Sequence, residues 1–493
     1  MKKTLRVLDL FAGGGGFSTG FLQANHPNLK FEIIKAVEIN QAASDTLRGH
    51  LGSEKVIQGD ITNSDVKKEI FQSCGDIDVV IGGPPCQTFS LAGPARSGTK
   101  EMREKLKNDP RNTLYKHFIE IVNYLKPIFV VFENVEGMLS KKVDQEGVEN
   151  KQVQVIELIC DELESKGYST KVENSLSERF QVLNAADFGI PQHRRRIFII
   201  ANRLGIDSPR LKPTHGHEGF PYKTVGEIQH LPVRLPKISI SEKLKNIDVI
   251  TDNYKKSLSL FIKNIKELAD MDNHFGGRQG LKKLYHKLNK EYKLIKDIKT
   301  HKFNNLLSFL EKYNDLVNEC GINTFGDNKF LANHQSREHN FRDIVIFVGT
   351  KQGSNSSRFM NRDSEDYNEF LDTLYPYNRS KHRDTYVKQS WNKPSNTILA
   401  HMEKDGLKFI HPEQPRTLTP YEAQLLQSFP SDYTFCGRRN DQYRQIGNAV
   451  PPKLAKVIGE SILCLYNKSK TSTNISALNL GEFQVSYYSI CQS

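Results

Sequence analysis

Short apolar runs alternate with amphipathic stretches over residues 5–201 of this 493-residue chain, and this alternation limits the possible folds more than any other feature. Two of the stretches between the runs, 112–125 and 153–166, place their apolar side chains at helical spacing. Strands that alternate with helices predict a doubly wound α/β sheet. The runs are rich in Val, Ile and Phe, as buried strands are, and they comprise residues 6–11, 31–38, 55–58, 76–81, 128–133, 181–184 and 196–201.

The pattern changes near residue 205. Residues 205–240 hold several Pro, Gly and His residues and predict loops and short strands, whereas 255–318 has helical spacing with many lysines on its polar faces. Residues 321–400 are polar and weakly periodic. Residues 405–465 return to a compact pattern, which ends in a helix predicted over 452–466.

Composition narrows the class of protein. The formal net charge is +12, from 69 Lys and Arg against 57 Asp and Glu. This excess has two alternative explanations, a nucleic-acid partner or a generic basic surface. The seven cysteines are scattered and form no C-x-x-C pair, which argues against a disulfide framework or a structural zinc site and fits a reducing cytoplasm. The N-terminus lacks a signal-peptide pattern, and no segment approaches the ~20 apolar residues that span a bilayer.

A glycine cluster follows the first predicted strand, with the sequence DLFAGGGGF at residues 9–17. Glycines let the backbone turn tightly and let a cofactor approach without Cβ clashes. Glu38 ends the next predicted strand, where an acid can hold ribose hydroxyls, and Asp60 follows the third, where it can accept from an adenine amino group. An ordinary strand–turn–helix and a nicotinamide site remain alternatives.

The segment GGPPCQTFS at residues 82–90 follows the fourth predicted strand, so it sits at the carboxyl edge of the sheet, where ligands bind. Its glycines and prolines predict a rigid loop that presents Cys86. A lone cysteine is more often a small buried hydrophobe, but this position and its polar neighbours suit a reactive thiolate. Cys86 is therefore a candidate nucleophile.

Charged side chains are predicted at the same edge. Glu133 ends the fifth predicted strand, and a partly buried Glu can stay protonated and act as a general acid, with a helix N-cap or a salt bridge as the alternative. The segment QHRRRI at 192–197 leads into the last predicted strand, and alternation places Gln192, Arg194 and Arg196 on one side. Arginines there can hold a phosphate or a carbonyl oxygen, with a solvated basic edge as the alternative.

Two downstream stretches are merely structural when judged from their residues alone. They are RTLTPYEA at 416–423, followed by QSFP at 427–430, and QIGNAVPP at 445–452. Thr419 before Pro420 predicts a helix N-terminus.

Taken together and in this order, these motifs resemble the DNA (cytosine-5) methyltransferase family of the bacterial restriction-modification type. The resemblance covers about residues 5–201 and 405–460, and a P-P-C-Q loop followed by E-N-V is its most specific part. It implies a doubly wound S-adenosylmethionine-dependent methyltransferase sheet with a smaller target-recognition domain.

The resemblance also implies the reaction, transfer of a methyl group from S-adenosylmethionine to C5 of a cytosine within a specific duplex DNA sequence. Cys86 is expected to attack C6 of a flipped-out base, while Glu133 binds or protonates N3, Arg194 holds O2, and Arg196 supports the loop or a phosphate. The residues expected to bind the cofactor are Phe11, Gly13, Gly15, Glu38, Ile39, Asp60, Ile61, Pro84, Asn448 and Val450.

The domain division follows from the same resemblance. Residues 1–204 are expected to form the catalytic domain and 205–404 a target-recognition domain with a helical insertion at about 255–318, of which residues 388–405 lead back into the catalytic domain. Residues 405–466 return to the catalytic domain and 467–493 form a C-terminal tail. The expected partners of this cytoplasmic monomer are duplex DNA and a cognate restriction endonuclease, with no membrane.

Three other functions are weighed against this one. A tRNA cytosine-5 methyltransferase would share the core, but the long basic insertion suits sequence readout in duplex DNA. A catalytically idle DNA-binding regulator would not need Cys86, Glu133 and Arg194, and a nicotinamide oxidoreductase would leave the Cys86 loop unexplained. No metal site is expected, and the histidines interpreted as loop or phosphate-facing residues are His215, His217, His334 and His339.

Overall fold

The computed structural model describes residues 2–85, 113–144, 152–216, 219–228, 385–414 and 416–477, with scattered residues between 286 and 355. Within these ranges seven strands form one sheet in the order β3-β2-β1-β4-β5-β9-β8, and β6 pairs with β7 separately. The first five strands are parallel, and β9 runs antiparallel between β5 and β8. The strands are β1 (Lys3–Leu10), β2 (Leu29–Glu38), β3 (Val56–Gln58), β4 (Val79–Gly82), β5 (Phe129–Val135), β6 (Lys142–Asp144), β7 (Gln152–Gln154), β8 (Gln181–Asn184) and β9 (Arg195–Asn202).

Helices cover both faces of this sheet. Successive side chains of a strand point to opposite faces, so Phe129 and Val131 join a core with α1 and α8, whereas Val130 and Phe132 join a second core with α3, α4 and α5. This arrangement confirms the doubly wound α/β prediction. The helices are α1 (Gly16–Gln23), α2 (Gln41–Leu51), α3 (Ser64–Cys74), α4 (Leu114–Leu125), α5 (Val155–Ser165), α6 (Pro420–Leu426), α7 (Arg439–Asn448) and α8 (Pro452–Ala477).

The C-terminal part of the chain returns to the N-terminal part through α8. A Cβ atom at Gly20 of α1 would overlap the carbonyl oxygen of Pro452, so only glycine permits this close approach. The helix predicted over 452–466 continues to Ala477, and the predicted start of a tail at 467 therefore falls inside α8.

The observed strands follow the predicted runs, although β1 and β2 begin three and two residues earlier than predicted and β4 begins three residues later. Strand β4 begins at Val79 rather than at residue 76, because the Arg6 guanidinium takes up carbonyl groups that precede it, those of Cys74 at 2.8 Å and Asp76 at 2.6 Å. Almost all of the predicted helical segment 255–318 lies outside the described residues. None of the helices in the described ranges has the length and apolarity to cross a lipid bilayer.

Candidate active site

The predicted site residues gather because several strands end at one edge of the sheet. Leu10 of β1 pairs with Gly82 of β4, and Gly82 pairs with Phe132 of β5, so the segments that follow these residues leave the sheet together. Strand β9 runs in the opposite direction and begins at this edge, with Arg196 paired to Val135. The glycine turn, the Cys86 loop, Glu133 and the arginines therefore start from neighbouring positions.

The glycine turn is held by Glu38. The N–H of Gly13 donates to Glu38 Oε2 at 2.8 Å, and the N–H of Asn40 donates to Oε1 at 2.7 Å. Gly13 and Gly15 have φ angles of +55° and +80°, in the left-handed region that glycine adopts without strain. Phe11 also lies in that region, at +58°, and there the chain leaves β1. Glu38 thus both shapes the turn and retains carboxylate lone pairs for a ligand.

Apolar and acidic side chains surround this turn. Ile39 is 63% exposed, and it directly follows Glu38. Asp60 is exposed and accepts from the N–H of Thr62 at 2.8 Å, whereas its neighbour Ile61 is buried in the core. The surface at this point can cover a flat apolar group and accept hydrogen bonds at its rim.

Asp9 is a buried acceptor that the sequence analysis did not single out. Ser18 donates to its Oδ2 at 2.6 Å, but Oδ1 has no hydrogen-bond partner among the described residues. Burial raises the pKa of Asp9 to about 7. The side chain lies at the end of β1, immediately before the glycine turn, so a bound group with a donor could satisfy it.

Glu133 lies against the start of the Cys86 loop. A Cβ atom at Gly83 would stand 2.6 Å from Glu133 Oε2, so the carboxyl group packs on bare backbone. The amide of Asn134 donates to the Pro84 carbonyl at 3.0 Å and fixes the same loop. Cys86 itself lies outside the described residues, two positions beyond the buried Pro84.

The electrostatics of Glu133 favour its protonated form. The residue is only 8% exposed, and burial raises its pKa, against the opposing charges of Arg196 and Arg194. Its closest charged partner is Arg196, whose Nε lies 3.1 Å from Glu133 Oε1. A carboxyl group in this environment can act as a hydrogen-bond donor.

The two arginines occupy different environments. Arg194 is fully buried, and its two amino groups donate to the carbonyls of Ile398 at 2.8 Å and Gly447 at 3.0 Å. Arg196 is partly buried and faces Glu133. The sequence interpretation gave the cytosine O2 to Arg194 and a supporting role to Arg196, and both roles stay predictions. Arg194 ties β9 to the C-terminal part of the chain.

The two downstream motifs, 416–430 and 445–452, contact each other and the start of β9. Thr419 accepts from the N–H of Glu422 at 3.2 Å and forms a capping box with it, which confirms the predicted helix start at Pro420. The amide of Gln427 donates to the carbonyls of Ile446 and Ala449 at 3.0 and 2.7 Å, and Gln192 donates to Gln427 at 2.5 Å. These motifs therefore pack against each other and against the start of β9.

Asn448 and Val450 follow in the same segment. Asn448 is exposed and Val450 is buried. A Cβ atom at Gly16 would overlap the Val450 carbonyl oxygen, so this segment touches the helix that follows the glycine turn. The structure thus brings the last motif to the predicted cofactor residues.

Two of the histidines interpreted as loop or phosphate-facing residues, His334 and His339, lie in loops. His334 is buried beside Thr419 Oγ1 at 2.8 Å, and His339 Nε2 accepts from the N–H of Thr417 at 3.2 Å. Burial lowers the pKa of His339 to about 3, which keeps its ring neutral. Both therefore form internal contacts rather than facing phosphates. His217 lies outside the described residues, and within the described ranges no cluster of His, Cys, Asp and Glu could hold a metal ion.

Sequence reasoning missed the side chains that reach the turn from the C-terminal part. Tyr433 donates to the Gly14 carbonyl at 2.8 Å, and Thr46 donates to Gln445 Oε1 at 2.7 Å. Gln445 stood within a quoted motif, but Tyr433 lies between the last two motifs and offered no pattern. Such contacts between residues about 400 positions apart leave no local signal.

Comparison with known proteins agrees with this arrangement. The model of the family described as C-5 cytosine-specific DNA methylase matches residues 5–464. The type II methyltransferase M.DdeI of Desulfomicrobium norvegicum is 30% identical over 469 residues, which cover 93% of this chain and 88% of that protein. The type II methyltransferase M1.HphI of Haemophilus parahaemolyticus is 28% identical over 462 residues, covering 93% and 87%.

A solved structure extends the comparison to the fold. It is a protein encoded within an E. coli prophage and assigned as a DNA modification methyltransferase. It aligns with a TM-score of 0.52 and 22% identity, covering 94% of this chain and 99% of that one. The two proteins share a fold.

Proposed function

Since the chain belongs to the C-5 cytosine-specific DNA methylase family and is a DNA cytosine-5 methyltransferase, we propose that it uses S-adenosylmethionine to methylate C5 of one cytosine within a specific duplex DNA sequence. The observation that carries the proposal is the buried Glu133, paired with Arg196 and packed on the backbone that leads to Cys86. An acid and a cation at one sheet edge, beside the backbone that leads to a cysteine two residues beyond Pro84, suit attack on a ring that must first be polarised.

The residues around the glycine turn fit the proposed cofactor. The exposed Ile39 and the ring of Phe11 suit an adenine, with Asp60 as acceptor for its amino group, and Glu38 suits the ribose hydroxyls. The free Oδ1 of Asp9 suits a cationic or hydrogen-bond-donating group of the ligand. Ile61 and Pro84 back this surface, and Asn448 and Val450 close its far side. When bound, S-adenosylmethionine supplies an electrophilic methyl group.

The covalent step makes the cytosine reactive. The thiolate of Cys86 adds to C6, which breaks the ring conjugation and leaves an enamine at C5. Glu133 donates a proton or a hydrogen bond to N3, which draws electron density from C6 and lowers the barrier to addition. After C5 is methylated, loss of its proton expels Cys86 and restores the aromatic ring.

Arg196 is the residue we assign to the cytosine O2. Its guanidinium lies at the Glu133 carboxyl group and is partly exposed at the edge where the base would enter. The base must leave the helical stack, because attack at C6 comes from above the ring plane. Arg194 would then not contact the substrate and would act by holding the backbone carbonyls of Ile398 and Gly447.

We place the biological role in a restriction-modification system, where methylation protects DNA from a cognate endonuclease. Two similar proteins are type II methyltransferases, which supports this role. Residues 1–204 and 405–466 would form the catalytic domain and 205–404 the target-recognition domain of a monomer. Residues 388–405 would lead back into the catalytic domain, and the pairing of residue 395 with residue 192 supports this return.

The test is transfer of a labelled methyl group from S-adenosylmethionine to unmethylated duplex DNA, followed by mapping of the modified base. The expected product is 5-methylcytosine at one short recurring sequence. Transfer to tRNA but not to DNA would contradict the proposed DNA substrate, and transfer to neither nucleic acid would contradict the proposed methyltransferase activity. Cys86→Ser is expected to abolish transfer while binding of S-adenosylhomocysteine persists, and full activity in this variant would exclude Cys86 as the nucleophile.

A further inference from the structure

Tyr433 lies in the segment between α6 and α7, and its hydroxyl group reaches the glycine turn from outside. The ring is 7% exposed, and the hydroxyl donates to the Gly14 carbonyl at 2.8 Å. A Cβ atom at Gly15 would stand 2.6 Å from the same oxygen. The hydroxyl group therefore contacts the two residues at the centre of the turn.

Packing determines where this hydroxyl group lies. The Tyr433 ring stacks on His50 of α2 with centroids 3.7 Å apart and an interplanar angle of 11°. Phe429 and Phe435 contact it at centroid distances of 4.9 and 5.1 Å. A ring confined on these sides delivers its hydroxyl to one place, so little rotamer freedom is lost when the hydrogen bond forms.

A second set of contacts joins the same segment to α2. Thr46 Oγ1 donates to Gln445 Oε1 at 2.7 Å and accepts from the N–H of Cys436 at 2.8 Å. The Gln445 amide in turn donates to the Cys436 carbonyl at 2.9 Å. A Cβ atom at Gly14 would stand 3.0 Å from Phe435. Residues of the C-terminal part therefore form one wall against the turn.

We propose that Tyr433 is a positioning residue for S-adenosylmethionine, an inference that rests on the proposed cofactor site. Gly13 and Gly15 can populate many backbone conformations, and only the observed one presents the turn that the cofactor needs. The Tyr433 hydroxyl holds the Gly14 carbonyl and thereby selects that conformation before the ligand arrives. Loss of the hydroxyl lowers the fraction of protein that is competent to bind, and the apparent Kd rises by the same factor.

The test compares two tyrosine-to-phenylalanine variants by calorimetric titration of S-adenosylhomocysteine into the full chain. Tyr433→Phe keeps the ring packing and removes the hydrogen bond to the Gly14 carbonyl, together with a contact to Thr19 of α1, so we expect its Kd to rise about fivefold. Tyr443→Phe is the matched control, because this tyrosine is also buried and its hydroxyl donates to the Leu418 carbonyl at 2.6 Å, away from the turn. Its Kd is expected to stay within about twofold of the wild type.

Steady-state kinetics separate positioning from a general loss of structure. Tyr433→Phe is expected to raise the KM for S-adenosylmethionine while kcat and the KM for DNA stay within about twofold of the wild type. An equal Kd for Tyr433→Phe and the wild type, or an equal rise in both variants, would overturn this inference alone. An absence of binding by the wild type would overturn the proposed cofactor site and the inference with it.

Discussion

Replacing each of the two arginines by methionine should separate stability from catalysis. Arg194→Met removes the donors from two buried carbonyls, those of Ile398 and Gly447. Arg196→Met removes the partner of Glu133 at the edge where the base would enter. The methionine side chain retains much of the apolar volume of arginine, so both substitutions act mainly through the lost guanidinium.

The contacts give different magnitudes for the two changes. Each buried carbonyl left without a donor costs about 1–3 kcal/mol, so Arg194→Met loses about 2–6 kcal/mol before the relief of a buried charge is counted. We expect a net loss of about 2 kcal/mol or more in the free energy of unfolding. Arg196→Met removes an opposing charge from Glu133, whose pKa burial raises, so the carboxyl group can take up a proton instead of staying charged without a partner, and the expected loss is below about 1 kcal/mol. The kcat of Arg196→Met should fall about 10²-fold or more, because the substitution removes the preorganised donor proposed for the cytosine O2.

The assay exploits the single tryptophan of the chain, Trp391. It packs on the same cluster as Ile398, so urea denaturation followed by its fluorescence reports on the region that Arg194 holds. Methyl transfer is measured on the same preparations below the denaturation midpoint. The reasoning is refuted if Arg194→Met unfolds at the wild-type urea concentration and is inactive, while Arg196→Met retains wild-type kcat.

Three further predictions concern the acid, the cofactor surface and the downstream helix start. Burial raises the pKa of Glu133, and the proposed reaction requires its protonated form, so the methylation rate should fall as pH rises through that pKa. Glu133→Gln should lower kcat about 10²-fold or more and should abolish this fall. A pH–rate profile that is the same in the variant and the wild type would contradict the role of Glu133. Ile39→Asp should weaken S-adenosylhomocysteine binding at least about tenfold in calorimetry with little change in thermal stability, whereas equal affinity would exclude Ile39 from the site. Burial alone would raise the pKa of Glu422, but its ion pair with Arg416 lowers it. The pair therefore stabilises the fold fully above the ordinary carboxyl pKa, and this stabilisation is lost as pH falls towards the lowered pKa of Glu422. The melting temperature should fall less steeply with decreasing pH in Glu422→Gln than in the wild type, and parallel falls would count against the pair.

Local patterns were sufficient for the sheet and for the order of the site segments. Strand β8 was predicted with its observed bounds, Gln181–Asn184, from a short local run centred on Val182 and Leu183. The helix start at Pro420 was equally local, since Thr419 supplies the cap within three residues. The placement of Glu133 at the carboxyl edge followed from parallel strands alone.

The roles of the arginines could not be predicted in the same way. Alternation placed Arg194 and Arg196 on one side of β9, but the carbonyls that engage Arg194 belong to residues 398 and 447, more than 200 positions away. Sequence alone therefore predicts that the Arg194 guanidinium is available to a ligand, because the carbonyls that bind it come close only in the folded chain. Tyr433 was missed for the same reason, since its partner Gly14 lies 419 positions away.

The two ends of the proposed target-recognition domain meet beside the start of β9. The N–H groups of Val225 and Gly226 donate to the carbonyls of residues 393 and 391 at 3.0 and 2.9 Å, and Thr397 donates to the His193 carbonyl at 2.6 Å. The chain therefore leaves the catalytic part and returns to it at nearly one place. An insertion closed at its base can change in length at a small entropic cost, because loop closure depends only on the logarithm of length. Under the proposed domain division, this insertion can therefore change in length while Arg194, Glu133 and the glycine turn keep their positions.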